Sequence, residues 1–234
     1  MKKHIPMGTL LPVYLLAIVA CLCAAHFGSR AVTTMVENAP IQGRRIIIID
    51  PGHGGIDGGA TSCTGVLESG VNLEIALRLN DLLRFIGYET LMVRTTDTSI
   101  HTQGDTIAAQ KVSDLKERVS LVNRTENAML ISIHQNTYPQ SKYSGAQVFF
   151  ANDDLSKSIS DMLQADFRNL LNPGSKRQSK PSTGIYLMQH ITKPGVLIEC
   201  GFLSNPEEEA RLRTAQYQKK LCCIIASGIS RCYG

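Results

Sequence analysis

The chain lacks the spacings that announce several common chemistries. Its seven cysteines, Cys21, Cys23, Cys63, Cys200, Cys222, Cys223 and Cys232, form no C-x-x-C pair, which argues against a zinc ribbon or a dithiol redox centre. An odd count and burial-prone neighbours favour structural thiols over bridges, although a disulfide using Cys232 is an alternative. No G-x-S-x-G elbow offers a serine nucleophile, and Cys200 follows an apolar run without a basic partner nearby. A Walker loop is absent. The glycine-rich stretch Gly52–Gly59 fails as G-x-G-x-x-G because Asp57 stands where the third glycine belongs, and it opens no helix directly. Internal repeats and low-complexity tracts are also missing.

Excess charge is scarce too. The net charge is +4, but Lys2, Lys3 and Arg30 lie in the first 30 residues and all 20 acidic residues lie beyond them, so the body is nearly neutral. A clustered basic footprint for nucleic acid is therefore not expected. With 43% apolar and 19% charged residues, the remainder is ordinary globular material, and about 195 residues suffice for one domain with a good core.

The head is different. Leu10 to Phe27 runs 18 residues without a charge, behind Lys2 and Lys3. That length is enough to span the hydrocarbon layer, and the flanking lysines place the N-terminal end in the cytoplasm. Residues 1–30 are thus expected to form an uncleaved membrane anchor, with a cleaved signal peptide or a lipidated Cys21 as rivals. Residues 31–43 read as a linker, and residues 44–234 as the folded domain, lying outside the cytoplasm.

Within that domain the spacing predicts alternating strands and helices. Arg45–Asp50 is a continuous β-branched run, the signature of a strand buried on both faces, and Pro51-Gly52 ends it. Ile75, Leu79, Leu82 and Ile86 recur at helical spacing before Gly87, predicting a helix over Glu68–Ile86. Further strands are expected at Tyr88–Val93, Met129–Ile133, Ala146–Phe150, Ile185–Met188 and Val196–Glu199. Helices are expected at Leu115–Glu126, at Asp154–Leu171 with Leu155, Ile159, Met162 and Leu170 inward, and from Asn205-Pro206 onward. Residues 95–113 have no clean period and read as a functional loop or insertion, and 172–183 as a mobile loop. The alternation predicts an α/β fold, a single layered domain with a mainly parallel twisted sheet flanked by helices.

In such sheets ligands gather beyond the C-terminal strand ends. Three apolar strands lead there into groups suited to metal binding or proton transfer: His53, His134 and Glu199. Glu68, opening the first helix, can return to the same edge. Two imidazoles and a carboxylate make a His₂Glu zinc site with a fourth position free for water. Glu199, behind three apolar residues, would be partly desolvated, which raises its pKa and suits it to acid/base work near neutrality. Each residue has a plainer reading alone. A histidine after a strand is more often a satisfied loop residue, and a glutamate in a first helical turn favours the dipole. Their coincidence on one edge is what points to chemistry. His4, His26, His101 and His190 have no matching carboxylate and read as surface residues.

These motifs resemble the zinc N-acetylmuramoyl-L-alanine amidases of the amidase-3 type. The likeness spans residues 45–230 and rests on four ordered blocks: Ile49–Gly55, Glu68 with Asn72-Leu73, Ser132–Asn136, and Leu197–Asn205. It implies that His53, Glu68 and His134 bind Zn²⁺, that Glu199 is the catalytic acid/base, and that the substrate is peptidoglycan, glycan strands bearing stem peptides. The bond implied is the amide joining N-acetylmuramic acid to L-alanine. Arg118 and Asn123 fit the pattern, with surface pairing and helix capping as equally good explanations. Residues 172–184 lack an Arg-Gly-Val stretch frequent in the family, and no wall-binding repeats follow. The short anchored layout is similar to germination-specific, cortex-processing amidases of spore formers, which implies the forespore intermembrane space and leaves room for an activating protein partner. Two other readings stand beside it: a catalytically silent amidase-like domain that binds wall or activates a partner, and a zinc hydrolase of another amide.

Overall fold

A computed structural model of the chain describes residues 45–233. The anchor and linker expected over residues 1–43 lie outside the described residues. No helix among the described residues is long and apolar enough to cross a membrane.

Side chains alternate across a strand, so a strand that is apolar at every position must be covered on both faces. Strand β1 (Ile46–Pro51) does this: Ile47 and Ile49 enter one core and Ile48 the other, all fully buried. Strands β2 (Thr90–Met92), β3 (Ala128–Asn136), β4 (Gln147–Phe150), β5 (Lys180–Pro181) and β6 (Gly195–Phe202) complete a sheet of order β2-β1-β3-β6-β4-β5. Every pairing is parallel except β4 with β6, so the sheet is mixed rather than purely parallel. Helices α1 (Glu68–Phe85), α3 (Asp154–Leu170), α5 (Pro206–Leu212) and α6 (Ala215–Tyr233) contribute to the larger core on one face. Helices α2 (Ile107–Arg124) and α4 (Tyr186–His190) contribute to the smaller core on the other.

Four expectations need correction. Residues 107–113 are not loop. They form the first turns of α2, started by Thr106, whose hydroxyl accepts from the Ala109 amide. The segment Ile185–Met188 is not a strand but belongs mostly to α4, because four apolar residues carry no period that separates the two states. In α3 the inward residues are Ile159, Leu163 and Phe167, while Leu170 is 66% exposed. Part of the loop 172–183 is β5, paired with β4. The described cysteines are all free; Cys200 and Cys222 are buried fillers, whereas Cys63 and Cys223 are exposed.

Candidate metal centre

The expected residues arrive at one rim by separate routes. His53 follows β1 in a tight turn closed by reciprocal Gly54 and Asp57 backbone bonds of 2.8 and 3.2 Å, and its own φ is 62°. His134 and Glu199 are in register on adjacent parallel strands, which puts their side chains on the same face. Beyond them the register slips, and Asn136 pairs with Phe202. Such an irregularity re-aims side chains at a sheet edge. Glu68 enters from the first turn of α1 and is 3% exposed.

One donor atom from each of His53, Glu68 and His134 lies within 4.8 Å of the others. The Nδ1 of His134 donates to Glu68 Oε1 at 3.0 Å, and the Nε2 of His53 stands 3.3 Å from Oε2. The carboxylate is further held by the amides of Ala60 at 2.9 Å and Gln135 at 3.0 Å. Burial alone would raise the Glu68 pKa, but His134 and His53 hold it far below the usual carboxylate range. Burial disfavours a charged His53, yet the carboxylates of Glu68 and Asp57 outweigh that and lift it to about 9. Glycines make this closeness possible: a Cβ on Gly52 would stand 2.2 Å from His134 Nε2, and one on Gly59 2.6 Å from Glu68 Oε2.

Glu199 differs from the other three. Its Oε2 is buried without a hydrogen-bond partner among the described residues. Burial pushes its pKa up to about 7, with Glu68 adding to the rise and the two imidazoles opposing it. Two imidazoles, an ionised carboxylate and a nearby unpartnered carboxyl oxygen suit a divalent ion such as zinc with an adjacent proton acceptor.

The supporting roles of Asp57, Lys111 and Arg94 escaped the sequence reading. The Nδ1 of His53 donates to Asp57 Oδ2 at 2.8 Å, and Lys111 holds Asp57 Oδ1 at 2.7 Å. Arg94, 4% exposed, donates to the carbonyls of Pro51 and Gly52 at 3.0 Å each and of Ser69 at 2.9 Å. Arg118 is no surface residue. It is 2% exposed, pairs with Asp50 and Asp114, and donates to the His53 carbonyl at 2.8 Å. Asn123 bridges α2 to the end of α4: its Nδ2 donates to the carbonyl of His190, the last residue of α4, at 3.0 Å, and its Oδ1 accepts from the Thr192 amide at 2.7 Å. Beside the family pattern that Arg118 fits, the spacing Asp114–Arg118 was a signal in the residues themselves, and it is equally common on solvated helix faces. Beside the rim a cavity of about 400 Å³ is lined by His53, Asp57, Lys111, His134, Tyr186 and Leu187 among others.

Comparison with known proteins shows the family. The sequence model for N-acetylmuramoyl-L-alanine amidases (Amidase_3) matches residues 47–231. The chain belongs to this amidase family. A germination-specific N-acetylmuramoyl-L-alanine amidase of Bacillus subtilis strain 168 is 44% identical over 198 residues, 82% of this chain and 81% of that protein. The N-acetylmuramoyl-L-alanine amidase AmiA of Escherichia coli K12 is 28% identical over 80% of this chain and 75% of that one. Among solved structures, the CwlD amidase from Clostridioides difficile, in complex with the GerS lipoprotein, matches with a TM-score of 0.77 and 36% identity, over 81% of this chain and 98% of that chain.

Proposed function

We propose that this amidase cleaves the bond between N-acetylmuramic acid and the L-alanine of the stem peptide in peptidoglycan, with His53, Glu68 and His134 holding zinc and Glu199 moving the proton. The observation that carries this is the convergence of three donor atoms within 4.8 Å beside an unpartnered Glu199 oxygen. A zinc ion held there supplies Lewis acidity, which acidifies water and polarises the scissile carbonyl. Glu199 accepts the proton of the attacking water, the water oxygen bonds to the carbonyl carbon, and the C–N bond breaks as Glu199 returns that proton to the leaving amine. Asp57 keeps the Nδ1 of His53 occupied so that Nε2 faces the centre.

The same proposal places residues 1–30 in the membrane and 31–43 as a tether, with residues 44–234 as the amidase on the cell-wall side. The 44% identity to a germination-specific amidase supports a role in spore-cortex processing, in the forespore intermembrane space. The CwlD amidase solved with a lipoprotein supports an activating protein partner for this chain as well. The test is incubation of the full chain with purified peptidoglycan and mass spectrometry of the soluble products. Free stem peptides beginning at L-alanine are expected; products still carrying muramic acid would overturn the assignment.

A further inference from the structure

The loop between β3 and β4 is exposed over residues 137–144 and polar in sequence, which ordinarily means a mobile connection. Here it is fastened along its length. The Tyr138 amide donates to Ser204 Oγ at 3.0 Å, and Asn205 Nδ2 donates to the Ser141 carbonyl at 2.7 Å. Arg177 Nε donates to the Ser144 carbonyl at 3.2 Å. The Gly145 amide donates to the carboxylate of Glu208 at 2.9 and 3.0 Å, and the same carboxylate takes the Phe202 amide at 2.8 Å. Glu208 is itself fully buried.

What this rigid loop presents is aromatic. Tyr138 and Tyr143 meet edge to face at 4.7 Å between centroids and remain 48% and 39% exposed. Tyr143 leans on Phe202 at 6.5 Å. Lys142 sits over the Tyr143 ring at 5.5 Å and Arg177 over the Phe202 ring at 4.9 Å. The cluster follows directly in the chain from the candidate metal centre: Tyr138 lies four residues beyond His134, at most about 13 Å of extended chain, and Phe202 three beyond Glu199.

We infer that Tyr138 and Tyr143 form a shelf that binds the saccharide portion of the substrate, a glycan strand, beside the metal centre. The inference rests on the amidase reading above. Aromatic rings offer a flat apolar face with a polar tip, which suits the C–H face and hydroxyls of a sugar ring. The neighbouring Lys142 and Arg177 place donors for hydroxyl and N-acetyl oxygens. Because the loop is already ordered, binding does not pay the cost of freezing it. A protein partner fits this patch poorly: two half-exposed rings amid Gln140, Ser141 and Lys142 fall far short of the roughly 800 Å² per partner that a stable interface buries. The scissile amide has sugar on one side and peptide on the other, so the cavity beside Lys111 is left for the stem peptide.

The test compares the full chain with Tyr138→Ala/Tyr143→Ala and Tyr138→Phe/Tyr143→Phe on two substrates, polymeric peptidoglycan and a muramoyl-peptide with one sugar. The ratio of kcat/KM on polymer to that on the monosaccharide substrate is expected to fall roughly tenfold in the alanine variant, mainly through KM, and to be largely kept in the phenylalanine variant. Sedimentation with glycan strands stripped of stem peptides should fall in parallel. An unchanged ratio with unchanged sedimentation, as a protein-docking surface would give, overturns the shelf. A wild-type chain that cleaves neither substrate would instead sink the amidase reading, while sedimentation still reports on glycan binding.

Discussion

His53 reaches the rim through a backbone conformation, φ 62°, that non-glycine residues seldom adopt, and its ring direction then depends on Asp57 and Lys111. Carboxylates that hold a metal-ligating imidazole typically contribute 10–100-fold to metal affinity. Asp57→Asn is therefore expected to weaken zinc retention by about that factor in a chelator competition, and Lys111→Met by less. Affinity equal to wild type in both would remove Asp57 from the account. Gly52→Ala tests the packing on the other side, because the added methyl would overlap the His134 ring. It should lose zinc and turnover while its circular dichroism stays native, and a variant that keeps both contradicts the close approach. The placement of His53, Glu68, His134 and Glu199 at one rim was legible because each follows an apolar run or opens a helix. Asp57 was not, since it meets His53 through a tight turn that carries no periodic signal, and Lys111 and Arg94 were not, since their contacts with Asp57, Pro51, Gly52 and Ser69 lie 25 to 54 residues away in sequence.

Among elements, α2 shows most clearly what a sequence conceals. Its N-terminal half is mostly exposed, with no apolar stripe to give a period, so only Leu115 onward could be read. Yet this helix supplies Lys111 to Asp57, and Arg118 to Asp50 and to the carbonyls of Pro51 and His53. Strands β1, β3 and β6 were readable because burial on both faces leaves a continuous apolar run. Four apolar residues at α4 could not be told from a strand. Arg118→Met leaves Asp50 buried with an uncompensated charge, and removing one partner of a buried pair costs about 3–5 kcal/mol. Urea denaturation should show a loss of that size with an unchanged m-value; a change below about 1 kcal/mol would mean that Ser132 alone satisfies Asp50.

For the molecule as a whole, His53 and Glu68 make metal binding and stability depend on pH together. His53 has its pKa raised from 6.5 to about 9 in the metal-free fold, so its contribution is complete below 6.5 and lost as pH rises through 9. Glu68 has its pKa depressed, so its contribution is present above 4.5 and lost as pH falls toward its folded value. The chelated chain should therefore draw most stability from this pair between pH 4.5 and 6.5, with Tm falling toward pH 9 relative to His53→Asn. Zinc requires a neutral imidazole, so in the loaded chain the trend reverses and Tm rises with pH over the same alkaline range. A chelated chain whose Tm rises from pH 6.5 to 9 relative to His53→Asn would contradict the pairing.

In the proposed centre three side chains hold one zinc while Glu199 stands beside it without binding it. Zinc content and stem-peptide release, measured together on wild type and on Glu199→Gln, address this arrangement most directly. About one zinc per chain is expected in both proteins, with turnover lowered roughly a hundredfold or more in the variant. Loss of zinc from the variant would make Glu199 a ligand, and undiminished turnover would deny it the proton; either result contradicts the account.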